Sequence, residues 1–241
     1  MAKDLTIEVA MSPDLYKYHS NDEAVVVVVD VLRATSAICA AFANGAKELI
    51  PVSSVEEARE YKDRGYMLAA EREGIILPFA DFGNSPYNFT PERVAGSTIA
   101  YSTTNGTKAI NMASNAYKVF VGSFLNLTAV AKAVQLQQRN LIILCSGWKG
   151  KFNIEDTLFA GALTELLVNS GFVINDDSAK AAHDLWNLAK NNLIEYSQKV
   201  AQRSRLAKLG LDDVFDFCFT PDSTDVVPEL CGKMLLQYKS N

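Results

Sequence analysis

Long apolar runs are missing from this chain of 241 residues. The longest, Ala24 to Val29, is far short of the roughly 20 residues a membrane-spanning helix requires. The start, Met1-Ala2-Lys3-Asp4-Leu5, does not lead into the apolar core of a signal peptide. The expectation is a cytoplasmic protein with no membrane partner. Cysteine is scarce: Cys39, Cys145, Cys218 and Cys231 stand far apart and form no C-x-x-C pair, which argues against a disulfide framework and a structural zinc site. His19 and His183 are isolated and give no metal pair or obvious general base. A basic excess is also absent. The formal net charge of −5 argues against a nucleic-acid partner but leaves room for an anionic small molecule held by a few local cations. With only 13 Gly and 7 Pro in a chain that is 49% hydrophobic, disorder and collagen-like structure are excluded.

What is present is a recurring unit: a short apolar or β-branched run, a tight polar loop, then a helical stretch. The valine run of Ala24–Val29 reads as a strand buried on both faces. Further strands are expected at Thr6–Met11, Glu48–Val52, Tyr66–Ala70, Thr98–Ser102, Lys118–Gly122, Leu141–Cys145 and Val214–Phe219. Helices are expected over Ala34–Asn44, Ser54–Arg64, Gly106–Ala113, Asn126–Gln138 and Asp156–Asn169, with one or two long helices between Ser178 and Leu209. Ser54 and Glu57 have capping-box spacing, and Gly65 is placed to stop that helix. The stretch from Glu73 to Gly96, with Pro78, Pro86 and Pro91, has no long periodic segment; a loop of that length is usually functional. A TIM barrel would need a helix after every strand, which the regions after Ala70 and over Ser178–Leu209 do not offer. The expected fold is a three-layer α/β/α sandwich with a mixed, largely parallel central sheet. No linker divides it, so one domain over 1–241 is expected. The late helices carry enough apolar positions for a homodimer seam, and packing on the sheet accounts for them equally well.

Chemistry in open α/β sheets gathers where strand ends meet helix starts. The valine strand delivers Asp30, a candidate metal ligand, followed by Arg33, a planar cationic fork for oxyanions, and by the hydroxyls of Thr35 and Ser36. From spacing alone, a helix cap for Asp30 and a surface partner for Arg33 read as well. The loop after Thr98–Ser102 holds Thr103, Thr104, Asn105 and Gly106, suited to binding oxyanions through amides and hydroxyls, or simply to an Asn-Gly turn. It lacks the spacing of a nucleotide P-loop. After Leu141–Cys145, Gly147 and Gly150 allow close backbone approach, Lys149 and Lys151 add positive charge, and Glu155 and Asp156 open a helix. That acid pair complements the helix dipole and also suits Mg²⁺. Glu71 and Arg72 leave another strand, and Asp81, Asn84 and Ser85 follow as turn-forming polar residues. A phosphatase of the haloacid-dehalogenase type needs a second acid two residues after the first, where Leu32 stands.

Taken in order, D-x-x-R-A-T-S over Asp30–Ser36, Glu71-Arg72, G-N-S-P over Gly83–Pro86, T-T-N-G-T over Thr103–Thr107 and E-D-T over Glu155–Thr157 resemble the 2-phosphosulfolactate phosphatase family. The resemblance runs from about Val25 to Leu163, with Asp225-Val226-Val227-Pro228 in weaker support. It implies an α/β/α fold and Mg²⁺-dependent hydrolysis of 2-phospho-3-sulfolactate to 3-sulfolactate and phosphate, a step towards coenzyme M. In that reading Asp30, Arg33 and Glu71 carry catalysis, and Asp30, Glu71, Glu155 and Asp156 are the metal ligands. Thr35, Ser36, Arg72, Asn84, Ser85, Thr103, Thr104, Asn105, Gly106, Gly147 and Lys149 surround the substrate, with Arg72, Lys149 or Lys151 on its sulfonate or carboxylate end. The chain departs from the family where Trp148 and Phe152 stand with two lysines in place of a smaller, glycine-rich loop. Alternatives are a phosphatase for another small phosphorylated hydroxy acid and a non-catalytic sensor of an anionic metabolite. A pure anion binder gains little from several carboxylates beside its ligand.

Overall fold

The computed structural model describes residues 4–239. Eleven strands are present: β1 (Thr6–Ala10), β2 (Val25–Val29), β3 (Glu48–Pro51), β4 (Met67–Arg72), β5 (Ile75–Ile76), β6 (Thr98–Ser102), β7 (Lys118–Gly122), β8 (Leu141–Cys145), β9 (Val173–Ile174), β10 (Pro228–Cys231) and β11 (Met234–Gln237). The helices before the middle of the chain are α1 (Pro13–Tyr16), α2 (Ala34–Ala43), α3 (Val55–Asp63), α4 (Pro91–Val94) and α5 (Gly106–Met112). Those after it are α6 (Leu127–Gln137), α7 (Ile154–Val168), α8 (Asp177–Ala189), α9 (Leu193–Ser197), α10 (Ala201–Lys208) and α11 (Phe215–Cys218).

The strands form one sheet in the order β5-β4-β6-β3-β11-β10-β7-β2-β8-β1-β9. Strands β4, β6 and β3 pair in parallel, as do β7, β2, β8, β1 and β9. The β10–β11 hairpin stands between these two parallel groups and pairs antiparallel with β7 on one side and β3 on the other. The sheet is therefore mixed and largely parallel, with helices on both faces, as the strand–helix alternation implies.

Strand β2 shows why. All five of its valines are buried. Val25, Val27 and Val29 join a core with Leu158, Phe159 and Leu163 of α7 and Val130 and Val134 of α6. Val26 and Val28 face the opposite core, with Ala34, Ala37, Ile38 and Ala41 of α2 and Ala109 and Ile110 of α5. A strand covered on both faces has no polar face to alternate with, hence the unbroken valine run. Ser54 caps α3 by accepting from the Glu57 amide at 3.0 Å, as its spacing predicts.

Two expectations need correction. The segment Val214–Phe219 is the short helix α11, not a strand. Its buried Phe215, Cys218 and Phe219 recur at the three- and four-residue spacing of a helix, while exposed or half-exposed Asp216 and Phe217 lie between them. The Ser178–Leu209 block is three α-helices with a 3-10 turn at Lys190–Asn192, because the polar Lys190-Asn191-Asn192 run interrupts the apolar periodicity. The stretch from Glu73 to Gly96 holds only short elements, β5, a 3-10 turn at Pro86–Asn88 and α4, as its lack of a long periodic segment implies. The C-terminal hairpin was not foreseen at all, although it supplies the middle of the sheet. Among the described residues no helix is long and apolar enough to cross a membrane.

Candidate active site

Three segments meet around Asp30: the β2–α2 loop, the β6–α5 loop and the start of α7 with the loop before it. Asp30 leaves β2 and turns the chain into α2, its Oδ1 accepting from the Ala34 amide at 3.2 Å. Thr35 Oγ1 accepts from the Asp30 amide at 3.0 Å and donates to the Asp30 carbonyl at 2.9 Å, and Ser36 Oγ donates to the Val31 carbonyl at 2.9 Å. Both hydroxyls are fully buried and hold the loop in shape. Gly106 lets α5 approach: a Cβ there would lie 2.5 Å from the Ala34 Cβ and 3.0 Å from Asp30 Oδ2. Tyr101 Oη closes the same junction by donating to the Ala34 carbonyl at 3.1 Å.

The acids differ in how they are engaged. Asp156, fully buried, accepts from the Val31 amide at 2.9 Å through Oδ1, and from the Gly147 amide at 3.0 Å and Asn153 Nδ2 at 2.9 Å through Oδ2. It ties the Asp30 loop to the Gly147 loop. Asn153, missed at the sequence level, also caps α7 by accepting from the Asp156 amide at 3.2 Å; an Asn three residues ahead of an acid at a helix start was the readable signal. Glu71 is likewise held: its carboxylate accepts from the Gly74 amide at 2.6 Å, the Thr104 amide at 2.8 Å and Thr104 Oγ1 at 3.1 Å. Glu155 is buried, and Asp30 Oδ2 and the Glu155 carboxylate accept no side-chain hydrogen bond from the described residues.

No ion pair among the described residues neutralises any of these four acids. Burial first, then the Asp156 charge, push Asp30 up to about 8. Burial, then repulsion from Asp30, push Glu155 up to about 7, and burial with the Glu155 charge does the same to Asp156. The buried counter-charge to Asp30 is Arg33, and Arg205 acts on Glu155. The Arg33 guanidinium is 3% exposed, with Nη2 donating to Asn84 Oδ1 at 2.8 Å and Nη1 buried without a partner. Burial draws its pKa down. An orphaned guanidinium N–H beside buried acids is costly unless an anionic ligand meets it.

The remaining predicted residues form the frame. Arg72 donates to the Glu71 carbonyl at 2.6 Å and to Ser102 Oγ at 3.0 Å, so its guanidinium is committed inside the fold. Thr103 and Thr107 exchange amide-to-hydroxyl bonds at 3.2 Å. Asn105 Oδ1 accepts from the Lys149 amide at 3.3 Å, and Lys149 Nζ pairs with Glu73 at 2.5 Å across the mouth of the site. Asn84 orients Arg33; half-buried Ser85 precedes the 3-10 turn at Pro86. Gly147 has a positive φ of 58°, and a Cβ there would lie 2.2 Å from the Lys151 carbonyl oxygen.

Among the described residues no three His, Cys, Asp or Glu side chains are arranged as a metal cluster. With Glu71 and Asp156 held by backbone amides, the carboxylate oxygens left for a cation are Asp30 Oδ2 and those of Glu155. Two carboxylates fit Mg²⁺, which keeps several waters and takes its other oxygens from a bound phosphate.

A family model described as 2-phosphosulpholactate phosphatase matches residues 10–233. A protein of Caldanaerobacter subterraneus subsp. tengcongensis named probable 2-phosphosulfolactate phosphatase is 42% identical over 209 residues, 85% of this chain and 87% of the relative. Proteins with the same name from Symbiobacterium thermophilum and Thermotoga maritima are 35% and 36% identical, over 85% and 87% of this chain and 90% of each relative. The chain belongs to the 2-phosphosulpholactate phosphatase family.

Proposed function

We propose that this chain hydrolyses the phosphate ester of 2-phospho-3-sulfolactate, giving 3-sulfolactate and inorganic phosphate, in a reaction that requires Mg²⁺. The observation that carries the reading is the pairing of an unpartnered, buried Arg33 Nη1 with buried carboxylates that lack counter-ions. A phosphate monoester dianion answers the first and a divalent cation the second. Neither partner alone balances the site.

In this reading Arg33 Nη1 donates to a non-bridging phosphoryl oxygen, and Asn84 fixes the plane of the guanidinium from behind. Asp30 Oδ2 and Glu155 would hold Mg²⁺, which would polarise the phosphoryl group and offset the charge that develops on it. Glu71 and Asp156 keep the three loops in register through backbone amides, so that the donors are fixed before the substrate arrives. Hydrolysis breaks the bond between phosphorus and the C2 oxygen; a water oxygen joins phosphorus, and a proton passes to the leaving oxygen. Catalysis of this kind depends on positioning and electrostatics. The product places the reaction on a route towards coenzyme M. The test is phosphate release from 2-phospho-3-sulfolactate by chelator-treated protein before and after Mg²⁺ is added. Turnover that appears only with Mg²⁺ is expected; no release under either condition overturns the proposal.

A further inference from the structure

A second concavity adjoins the site. Residues Trp148 to Lys151 form a two-residue hairpin, with the Trp148 amide donating to the Lys151 carbonyl at 2.9 Å and the Lys151 amide to the Trp148 carbonyl at 3.0 Å. Lys149 and Gly150 at its tip both have positive φ, 52° and 77°, as a type I′ turn requires. The hairpin and α10 border a cavity of about 260 Å³. Trp148, Lys151, Phe152, Glu155, Lys199 and Arg205 are among the residues lining it.

The charges of this cavity are unbalanced. Lys151, Lys199 and Arg205 form no ion pair among the described residues, whereas Lys149 is bound to Glu73. The one acid in the lining is Glu155, whose neighbour Asp156 accepts from the Val31 amide beside Asp30, so the cavity lies next to the phosphate site. Arg205 is oriented rather than free: its guanidinium lies 5.0 Å from the centre of the Trp148 ring, and its Nη1 donates to Gln202 Oε1 at 3.0 Å. A planar guanidinium held this way presents its remaining N–H groups to an oxyanion.

We propose that this cavity holds the sulfonate of the substrate, with Arg205 as its main donor, Lys199 and Lys151 as flanking cations, and Trp148 as an apolar wall against the adjoining methylene. The proposal rests on the reading of the neighbouring site as a phosphatase for a sulfonated ester. A sulfonate stays ionised at every physiological pH and presents three equivalent oxygens, which suits a ring of fixed cations better than a single bidentate partner. The bulky Trp148 and Phe152 and the cation of Lys151 in this loop then have one purpose. They build a pocket for an anionic arm, while Arg72 and Lys149 are engaged elsewhere.

The experiment compares 2-phospho-3-sulfolactate with 2-phospholactate, which keeps the carboxylate and lacks the sulfonate. In the full-length protein with Mg²⁺, Arg205→Ala is expected to lower the ratio of kcat/KM for the two esters by about tenfold to a hundredfold, the size of one lost charge-assisted contact. Lys199→Ala, at an exposed position, is expected to lower the ratio by about twofold to fivefold, mainly through KM. An unchanged ratio in both variants overturns the inference. If the unaltered protein hydrolyses neither ester, the phosphatase reading fails on its own and calorimetric titration with 3-sulfolactate decides the pocket. Binding weakened about tenfold by Arg205→Ala supports it, and equal or undetectable binding in both proteins overturns it.

Discussion

Replacing Asp30 with Asn tests the electrostatics of the site more sharply than any loss of activity, because burial and the neighbouring Asp156 charge fix the sign of the effect. In the metal-free protein the Asp30 carboxyl titrates at about 8 against an ordinary 3.8. The unfolded chain releases this proton near the ordinary value and the folded chain only near the raised one, so unfolding releases a proton throughout the interval. Stability is therefore greatest below about pH 4 in this respect and falls as pH rises through about 8. A difference of roughly four units at about 1.4 kcal/mol each amounts to about 6 kcal/mol at the alkaline end. Asn keeps an oxygen for the Ala34 amide but carries no proton to lose. Urea unfolding in chelator from about pH 5 to about pH 8 is the assay. The unaltered protein should lose stability steadily; Asp30→Asn should show a shallower slope, from Glu155 and Asp156 alone, and should be the more stable protein at pH 8. Mg²⁺ should restore the unaltered protein at pH 8 and leave the variant where it was. Identical slopes in the two proteins refute the argument.

Arg33→Ala removes the one buried cation facing the acids, and kcat/KM for the phosphate ester is expected to fall about a hundredfold or more in steady-state assays. Gly106→Ala places a methyl group against the Ala34 Cβ and Asp30 Oδ2; thermal unfolding should show a loss of about 1–3 kcal/mol, with activity falling further because α5 can no longer close on the Asp30 loop. Glu71→Gln turns an amide N–H₂ towards the Gly74 and Thr104 amides, which need acceptors. The donor left unpaired should cost about 1–3 kcal/mol in chemical unfolding.

The parts of the fold that sequence discloses are those where burial leaves no choice. The valine run at Val25–Val29 has to be a strand covered on both faces, and Ser54 with Glu57 has to start a helix, so both stand where their residues place them. Strands β5 and β9, of two residues each, are too short to show any periodicity. The β10–β11 hairpin is invisible for a different reason: its Pro228 and its mixed burial suggest an edge, yet distant β3 and β7 enclose it. At the site, residue type was informative and the direction of the side chain was not. Asp30, Arg33, Glu71, Glu155 and Asp156 were all recognisable as strand-end or helix-start charges, and all five are buried. That Glu71 and Asp156 serve backbone amides while Asp30 Oδ2 does not depends on contacts between residues as far apart as Val31 and Asp156. Arg205 gave no signal, since a basic residue on an exposed helix reads as solvated until Trp148 is found beside it.

The central claim is that Asp30 and Glu155 would together hold one divalent cation, with the unpartnered Arg33 Nη1 left to meet an anionic ligand. Crystals grown with Mn²⁺ in place of Mg²⁺ and measured for anomalous scattering test it directly. A single strong peak about 2 Å from an oxygen of each carboxylate is the predicted result; a peak coordinated elsewhere on the molecule, with Asp30 and Glu155 left protonated and bare, contradicts it.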